Sequence, residues 1–161
     1  MGSNLGDREA ALRRGLRDLQ ARGARIGRVS SLYETEPVGF RDQGSFLNLA
    51  LEVSWEGTLE ELCRCGLEVE AALDRRRIVK DGPRSLDVDL LLAGDAIVRS
   101  ESLEVPHPRI HLRRFVLVPL EEIAPLAVHP VFRKTVRELL DQCPDSSWVR
   151  RVGAPLAVEP T

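Results

Sequence analysis

Two segments of the chain alternate between aliphatic and other side chains with a period of two, and this pattern constrains the fold most strongly. The aliphatic positions are Leu47, Leu49, Leu51 and Val53 in the first segment and Leu86, Val88, Leu90 and Leu92 in the second. Successive side chains of a β-strand point to opposite faces. Residues 46–53 and 85–92 are therefore predicted to be strands that each place one face in the core.

Helices are predicted beside these strands, partly from their capping residues. Asp7 and Gly23 can cap the two ends of a first helix, and Thr58 with Glu61 forms a capping box that opens a second. The predicted helices cover about residues 7–22, 58–73 and 115–123 and a short stretch after Thr135. Further strands are predicted over about residues 26–33 and 96–98. This mixture indicates an α+β sandwich in which helices cover an antiparallel sheet.

Length and composition predict a single cytoplasmic domain. The chain has 161 residues without an internal repeat, so one domain is expected over residues 1–161, with residues 146–161 as a peripheral tail. Its net charge of −2 gives no support for nucleic acid or an anionic membrane as a partner, and neither is expected. No apolar run reaches the roughly 18–20 residues that span a bilayer, and no signal peptide is evident. A monomer that binds small molecules is expected.

The acidic residues of the second strand predict a metal site. Asp87 and Asp89 are two positions apart, so both carboxylates leave one face of the strand about 6.5–7 Å apart. Two neighbouring carboxylates are costly unless a cation neutralises them. Magnesium typically binds one or two carboxylates together with substrate phosphates. The alternative is an exposed sheet face with two solvated acids.

A basic cluster precedes the acidic strand and suggests phosphate chemistry. Five cations lie within ten residues: Arg75, Arg76, Arg77, Lys80 and Arg84. Cations beside a metal-binding acid pair are what polyphosphate transfer requires, because both the transferred and the leaving groups are highly charged. The chain contains no Walker A motif, so a P-loop is excluded.

The opposite face of the first strand is a candidate binding surface. Phe46 and Asn48 share this face and offer an aromatic wall and an amide to a flat heterocycle. A core role for Phe46 is the alternative. His107 and His111 are further candidates for contact with phosphate or base, although a lone histidine in a Pro-flanked turn is more often structural.

Four motifs occur in order and together resemble the 6-hydroxymethyl-7,8-dihydropterin pyrophosphokinases of folate biosynthesis. They are GSNLGD at 2–7, YETEPVG and FLNLAL within 33–51, GPRSLDVDLLLAGD at 82–95 and VPHPRIHLRRFVLVPLEEIAP at 105–125. The resemblance extends to about residue 145. It implies transfer of diphosphate from ATP to the pterin's hydroxymethyl group, with attack on the β-phosphorus and release of AMP.

The resemblance also implies residue roles in handling ATP. Asp87 and Asp89 match ligands of two magnesium ions. Arg84 matches an arginine that contacts the phosphates, and Arg75 and Arg77 match a pair on a mobile catalytic loop. The other matches to ATP-site positions are Glu70, His107 and Arg113.

For the pterin, the resemblance implies an aromatic sandwich with polar partners. Phe46 and Phe115 match the two stacking rings, Asn48 matches the amide partner of the pterin, and Thr35 matches a backbone contact beside it.

The N-terminus departs from the family pattern. Members carry a short apolar strand before G-S-N, inside a ferredoxin-like sheet, whereas this chain begins Met1-Gly2-Ser3. The expectation is therefore a sheet without its N-terminal strand and an incomplete N-terminus. Two alternatives to an active enzyme remain: a degenerate relative that lost this strand, and an RNA-binding α+β module.

Overall fold

The computed structural model describes residues 1–39, 42–73 and 85–160. The helices of these residues are α1 (Arg8–Ala21), α2 (Leu59–Ala72), α3 (Arg114–Ile123) and α4 (Val136–Asp141), with a 3-10 turn at Ile110–Leu112. The strands are β1 (Gly2–Ser3), β2 (Arg25–Val29), β3 (Leu32–Thr35), β4 (Phe46–Asn48), β5 (Leu51–Ser54), β6 (Val98–Arg99), β7 (Glu104–Val105) and β8 (Val149–Gly153). Among the described helices, none is long and apolar enough to cross a membrane.

The strands form antiparallel sheets, which confirms the predicted α+β class. The main sheet has the order β1-β4-β3-β8, and β2 pairs separately with β5. The short strands β6 and β7 form a third, two-stranded sheet.

An N-terminal strand is present, so the expectation that the sheet would lack one is wrong. Gly2 pairs with Asn48 of β4, and Ser3 pairs with Leu47. On its other side, Gly2 exchanges two backbone hydrogen bonds with Asp87, of 3.0 and 2.8 Å. Pairing needs backbone groups rather than an apolar sequence, so Gly2 and Ser3 can pair although neither is a large apolar residue.

The long predicted strands are interrupted in the structure. The alternating segment 85–92 forms only an isolated bridge at Asp87, because β1, its neighbour, extends over just two residues. The other alternating segment is divided into β4 and β5. At this division Ala50 N donates a hydrogen bond of 2.9 Å to Ser30 Oγ, and Ser30 is one of the two residues between β2 and β3.

Helices cover both faces of the main sheet. On one face, Leu12 and Leu16 of α1 and Val69 of α2 pack with Leu47 and Leu49. A second cluster packs α3 and α4 against Ala50, and it includes Leu117, Leu120, Val136 and Leu139. The alternation of residues 46–53 is thereby confirmed, because odd and even positions enter different layers. Phe46 and Asn48 consequently face the α3 side.

The predicted helix caps are confirmed. Asp7 accepts a hydrogen bond of 3.0 Å from Ala10 N, and Gly23 has the positive φ of 103° expected just beyond a helix end. The Thr58–Glu61 capping box at the start of α2 is complete. These local bonds set the ends of the two helices that pack on the sheet.

The last part of the chain contributes to both sheet and core. Strand β8 pairs with β3 at one edge of the main sheet. Leu156, beyond that strand, is 4% exposed and belongs to the cluster beneath α1 and α2. The segment that was expected to be peripheral thus supplies a strand and a core side chain.

Candidate active site

A cavity of about 570 Å³ lies on the α3 side of the sheet, a size typical of small-molecule sites. Strands β3 and β4 supply Thr35, Phe46 and Asn48, which line the cavity and are all buried. Asn48 Nδ2 donates a hydrogen bond of 2.7 Å to Thr35 Oγ1. This bond holds the Asn48 carboxamide in one orientation beside the Phe46 ring.

The start of α3 supplies another wall of this cavity. Phe115 and Val116, in the first turn of the helix, both line it. The guanidinium carbon of Arg113 lies 5.6 Å from the centroid of the Phe115 ring, within cation–π range. Two aromatic rings from distant parts of the sequence therefore border the same space, together with a positive charge.

The acid pair borders the cavity beside β1. Asp87 is half-buried and Asp89 is exposed, and both line the cavity. The backbone hydrogen bonds between Asp87 and Gly2 fix this segment to the sheet. The backbone of Asp87 is thus tied to the sheet, two positions before Asp89.

A buried carboxylate on α2 fixes the residue between the two acids. Glu70 is only 5% exposed, and its Oε1 accepts a hydrogen bond of 2.8 Å from Val88 N. A buried carboxylate is costly without such bonds. Because Val88 separates Asp87 from Asp89, Glu70 helps to hold both acidic side chains in place.

A second cavity of about 650 Å³ lies between α2 and the segment that follows the acid pair. Its lining is mostly apolar and includes Val53, Trp55, Leu62, Leu67 and Leu90. Asp87, Asp89 and His107 line this cavity as well as the first. The two cavities therefore meet at the acid pair.

His107 is a neutral hydrogen-bond donor at this junction. Burial lowers its pKa, although the nearby charge of Asp89 opposes the shift. Its Nδ1 accepts a hydrogen bond of 3.1 Å from Arg109 N, so the proton of the neutral ring lies on Nε2. His111 differs, because its ring packs edge-on against Phe132 at 4.6 Å and lines neither cavity.

The residues at the junction suit magnesium. Two carboxylates that border both cavities are hard oxygen ligands, and magnesium usually takes one or two such ligands and completes its shell with phosphates and water. Asp87 and Asp89 are the residues that would hold it.

The structure brings together the predicted site residues that it describes. Eight of them line the first cavity: Thr35, Phe46, Asn48, Asp87, Asp89, His107, Arg113 and Phe115. Glu70 lines the second. Arg75, Arg77 and Arg84 lie outside the described residues.

Several residues of the first cavity were missed by sequence reasoning. Leu91 could have been found, because the period of two places it on the same face as Asp87 and Asp89. Glu36, Val38 and Arg109 also line the cavity. They lie in loops without a periodic pattern, so nothing in the sequence indicated their direction.

Comparison with known proteins agrees with this geometry. The family model of 7,8-dihydro-6-hydroxymethylpterin-pyrophosphokinase (HPPK) matches residues 1–125. The chain belongs to this family. HPPK enzymes are diphosphokinases of folate biosynthesis, and the family implies ATP as a substrate and a general need for Mg²⁺.

Three relatives share the printed name 2-amino-4-hydroxy-6-hydroxymethyldihydropteridine pyrophosphokinase. The one from Bacillus subtilis is 45% identical over 124 residues, which cover 76% of this chain and 74% of the relative. The one from Aquifex aeolicus is 37% identical over 138 residues, or 86% of each chain. The one from Methylorubrum extorquens is 42% identical over 153 residues, or 94% of this chain and 95% of the relative.

Proposed function

We propose that the chain transfers the diphosphate group of ATP to the hydroxymethyl group of 6-hydroxymethyl-7,8-dihydropterin and releases AMP. One observation supports this reaction above others: two cavities of small-molecule size meet at Asp87 and Asp89. A reaction between two substrates needs adjoining sites with the cation that neutralises phosphate charge at the junction. The family match and the names of the relatives support the identity of both substrates.

The pterin is assigned to the first cavity. Phe46 and Phe115 would contact the two faces of the ring, and offset stacking suits a flat heterocycle. The carboxamide of Asn48, held by Thr35, would bond to the polar edge of the ring. The hydroxymethyl group would then point towards the acid pair.

The nucleotide is assigned to the second cavity. Its apolar lining suits the adenine base, and the phosphates would extend past the acid pair towards the first cavity. His107 and Arg113 would donate to phosphate oxygens there. Glu70 would act by holding Val88, and thereby the acid pair. The roles of Arg75, Arg77 and Arg84 in contacting the phosphates stay predictions.

In the proposed reaction, the hydroxymethyl oxygen forms a bond to the β-phosphorus of ATP. The bond from that phosphorus to the oxygen of the α-phosphate breaks, AMP leaves with this oxygen, and the hydroxyl proton passes to solvent. Two magnesium ions bound at Asp87 and Asp89 would neutralise the phosphate oxygens. The chain itself contributes by holding both substrates in line and by placing cationic and Nε2–H donors at the phosphates.

A ferredoxin-like topology is part of the proposal. Going across the sheet, the segment around Asp87 neighbours β1, which pairs with β4, which pairs with β3. All these pairs are antiparallel, as in a split β-α-β arrangement with α1 and α2 as the connections. One domain over residues 1–161 and a monomeric state also stay predictions, and sedimentation equilibrium would test the latter.

A degenerate relative stays the alternative, although Gly2–Ser3 does pair with β4. The RNA-binding alternative gains no support, because the chain belongs to a family of pyrophosphokinases.

The test is production of AMP by the purified chain from ATP, Mg²⁺ and the pterin alcohol. AMP should form only when the pterin is present, and absence of pterin-dependent AMP would refute the proposed reaction. Asp89→Ala should lower turnover by more than about tenfold, because a magnesium ligand is lost. Asp95→Ala is the matched control, since Asp95 is exposed in the following turn and lines neither cavity. Near-normal turnover of Asp89→Ala would refute the metal assignment.

A further inference from the structure

Residues 145–148, which we term the strap, connect two walls of the first cavity. The strap follows α4 and lies beyond residue 125, where the family match ends. One of its ends bonds to the start of α3, and the other bonds to Glu36 after β3. The start of α3 and Glu36 both border the cavity, so the strap links two of its walls without lining it.

Asp145 caps the N-terminus of α3, although it lies 31 residues after Arg114 in the sequence. Its Oδ2 accepts a hydrogen bond of 2.9 Å from Arg114 N, the first residue of the helix, whereas Arg113 makes no side-chain cap. A carboxylate at a helix N-terminus also interacts favourably with the helix dipole. The first turn of α3, with Phe115 and Val116, is thereby fixed to the strap.

The strap is itself ordered around Asp145. The Oδ1 atom accepts hydrogen bonds from both the backbone amide and the hydroxyl of Ser147. Burial alone would raise the pKa of Asp145, but the hydrogen bonds from Ser147 and Arg114 outweigh it and lower the pKa. The carboxylate therefore stays ionised and keeps both sets of bonds at neutral pH.

The other end of the strap is fixed to the strand that bears Thr35. Trp148 N donates a hydrogen bond of 3.0 Å to Glu36 Oε1, and Glu36 N donates one of 3.3 Å to Trp148 O. The second of these bonds, between backbone groups, extends the pairing of β3 with β8 by one residue. The Arg150 guanidinium packs 4.8 Å from the centroid of the Trp148 ring, which further restrains Trp148.

We propose that Asp145 is a positioning residue for the heterocycle: through the strap it sets the distance between the Phe115 wall and the Thr35–Glu36 wall. This inference rests on the proposed assignment of the pterin to the first cavity. A displacement of about 1 Å at a binding wall lowers both affinity and rate, because stacking and in-line geometry are lost together. An ordinary helix cap would instead affect stability alone.

The test compares Asp145→Ala with Thr135→Ala. Thr135 Oγ1 caps α4 through Glu138 N, and Thr135 does not line the first cavity, so this variant controls for the loss of a helix cap. We expect Asp145→Ala to raise the pterin Kd, measured by pterin fluorescence, by about tenfold, because a displaced wall no longer stacks well on the ring. The KM for ATP should change much less. Thr135→Ala should lower Tm without changing the pterin Kd.

Hydrogen exchange gives a readout that needs no ligand. In Asp145→Ala, amides of residues 35–39 and 114–117 should both exchange faster than in the wild type, because the strap connects them. Faster exchange confined to residues 114–117, with an unchanged pterin Kd, would show an ordinary cap and overturn the proposal. Wild-type protein that binds no pterin would refute the proposed function, while the exchange result would still decide whether the strap holds both walls.

Discussion

An added methyl group at Gly2 should damage the site. A Cβ atom at Gly2 would lie 2.1 Å from Asn48 Oδ1 and 3.3 Å from Asn48 Cγ. Non-bonded heavy atoms are best separated by about 3.5–4.0 Å, so the carboxamide must move by roughly 1 Å or more. Gly2 cannot easily retreat, because its backbone is bonded to Asp87 on the other side.

The expected loss of stability follows from the contacts that movement of the Asn48 carboxamide disrupts. Displacing the carboxamide lengthens the buried hydrogen bond of 2.7 Å from Asn48 to Thr35 Oγ1, and leaving such groups unpaired costs about 1–3 kcal/mol. Overpacking at a buried position costs about 1–3 kcal/mol more. Gly2→Ala should therefore lower the free energy of unfolding by about 2–6 kcal/mol. Loss of the amide contact should weaken pterin binding by about tenfold.

The assay is urea unfolding together with the pterin Kd from fluorescence. Gly44→Ala is the matched control, because a Cβ atom there would meet nothing closer than Asn4 O at 3.7 Å. The double variant Gly2→Ala with Asn48→Ala should be more stable than the sum of the two single effects predicts, since removing the carboxamide relieves the clash. Wild-type stability and affinity in Gly2→Ala, or strict additivity in the double variant, would refute this reasoning.

Two further predictions concern stability. Glu122 accepts hydrogen bonds from Ser31 and Tyr33; burial alone would raise its pKa, but these bonds outweigh burial and lower it. Its contribution to the free energy of unfolding is therefore present above the unfolded pKa of about 4.3 and is lost as pH falls through the folded value. Glu122→Gln should be less stable than the wild type at neutral pH, with a difference that closes in acid; urea titrations that show a pH-independent difference would contradict this. Leu86→Ala should lower the free energy of unfolding by about 2–5 kcal/mol, because Leu86 is fully buried against α1. An unchanged urea midpoint would rule this out.

Local patterns in the sequence were sufficient for much of the fold and for the candidate site. The period of two in residues 46–53 assigned Leu47 and Leu49 to one layer, and Phe46 and Asn48 to the other, as the structure has them. The caps at Asp7 and Thr58 gave the starts of α1 and α2. Such signals can be recognised in the sequence because side-chain direction and capping bonds depend on residues only a few positions apart.

Motifs in the sequence identified more of the site residues than periodicity alone. The acid pair and the Phe46–Asn48 face were found from the residues themselves, whereas Phe115 and Glu70 came from the resemblance to the family. The structure then added the bond from Val88 N to Glu70, which gives Glu70 a place in holding the acids. No local pattern could indicate that bond, because it joins a helix to a distant segment.

The sequence by itself determined which residue types could form strands, helix ends and a metal site, because these depend on near neighbours. Only the tertiary structure decided that Gly2–Ser3 serves as a strand, since that depends on β4 and Asp87 offering their backbone groups. It also decided that two cavities meet at the acid pair, and that residues 145–148 fix two walls of one of them. These features arise from contacts between segments far apart in the chain, and a local pattern contains no information about which distant segment will be the partner.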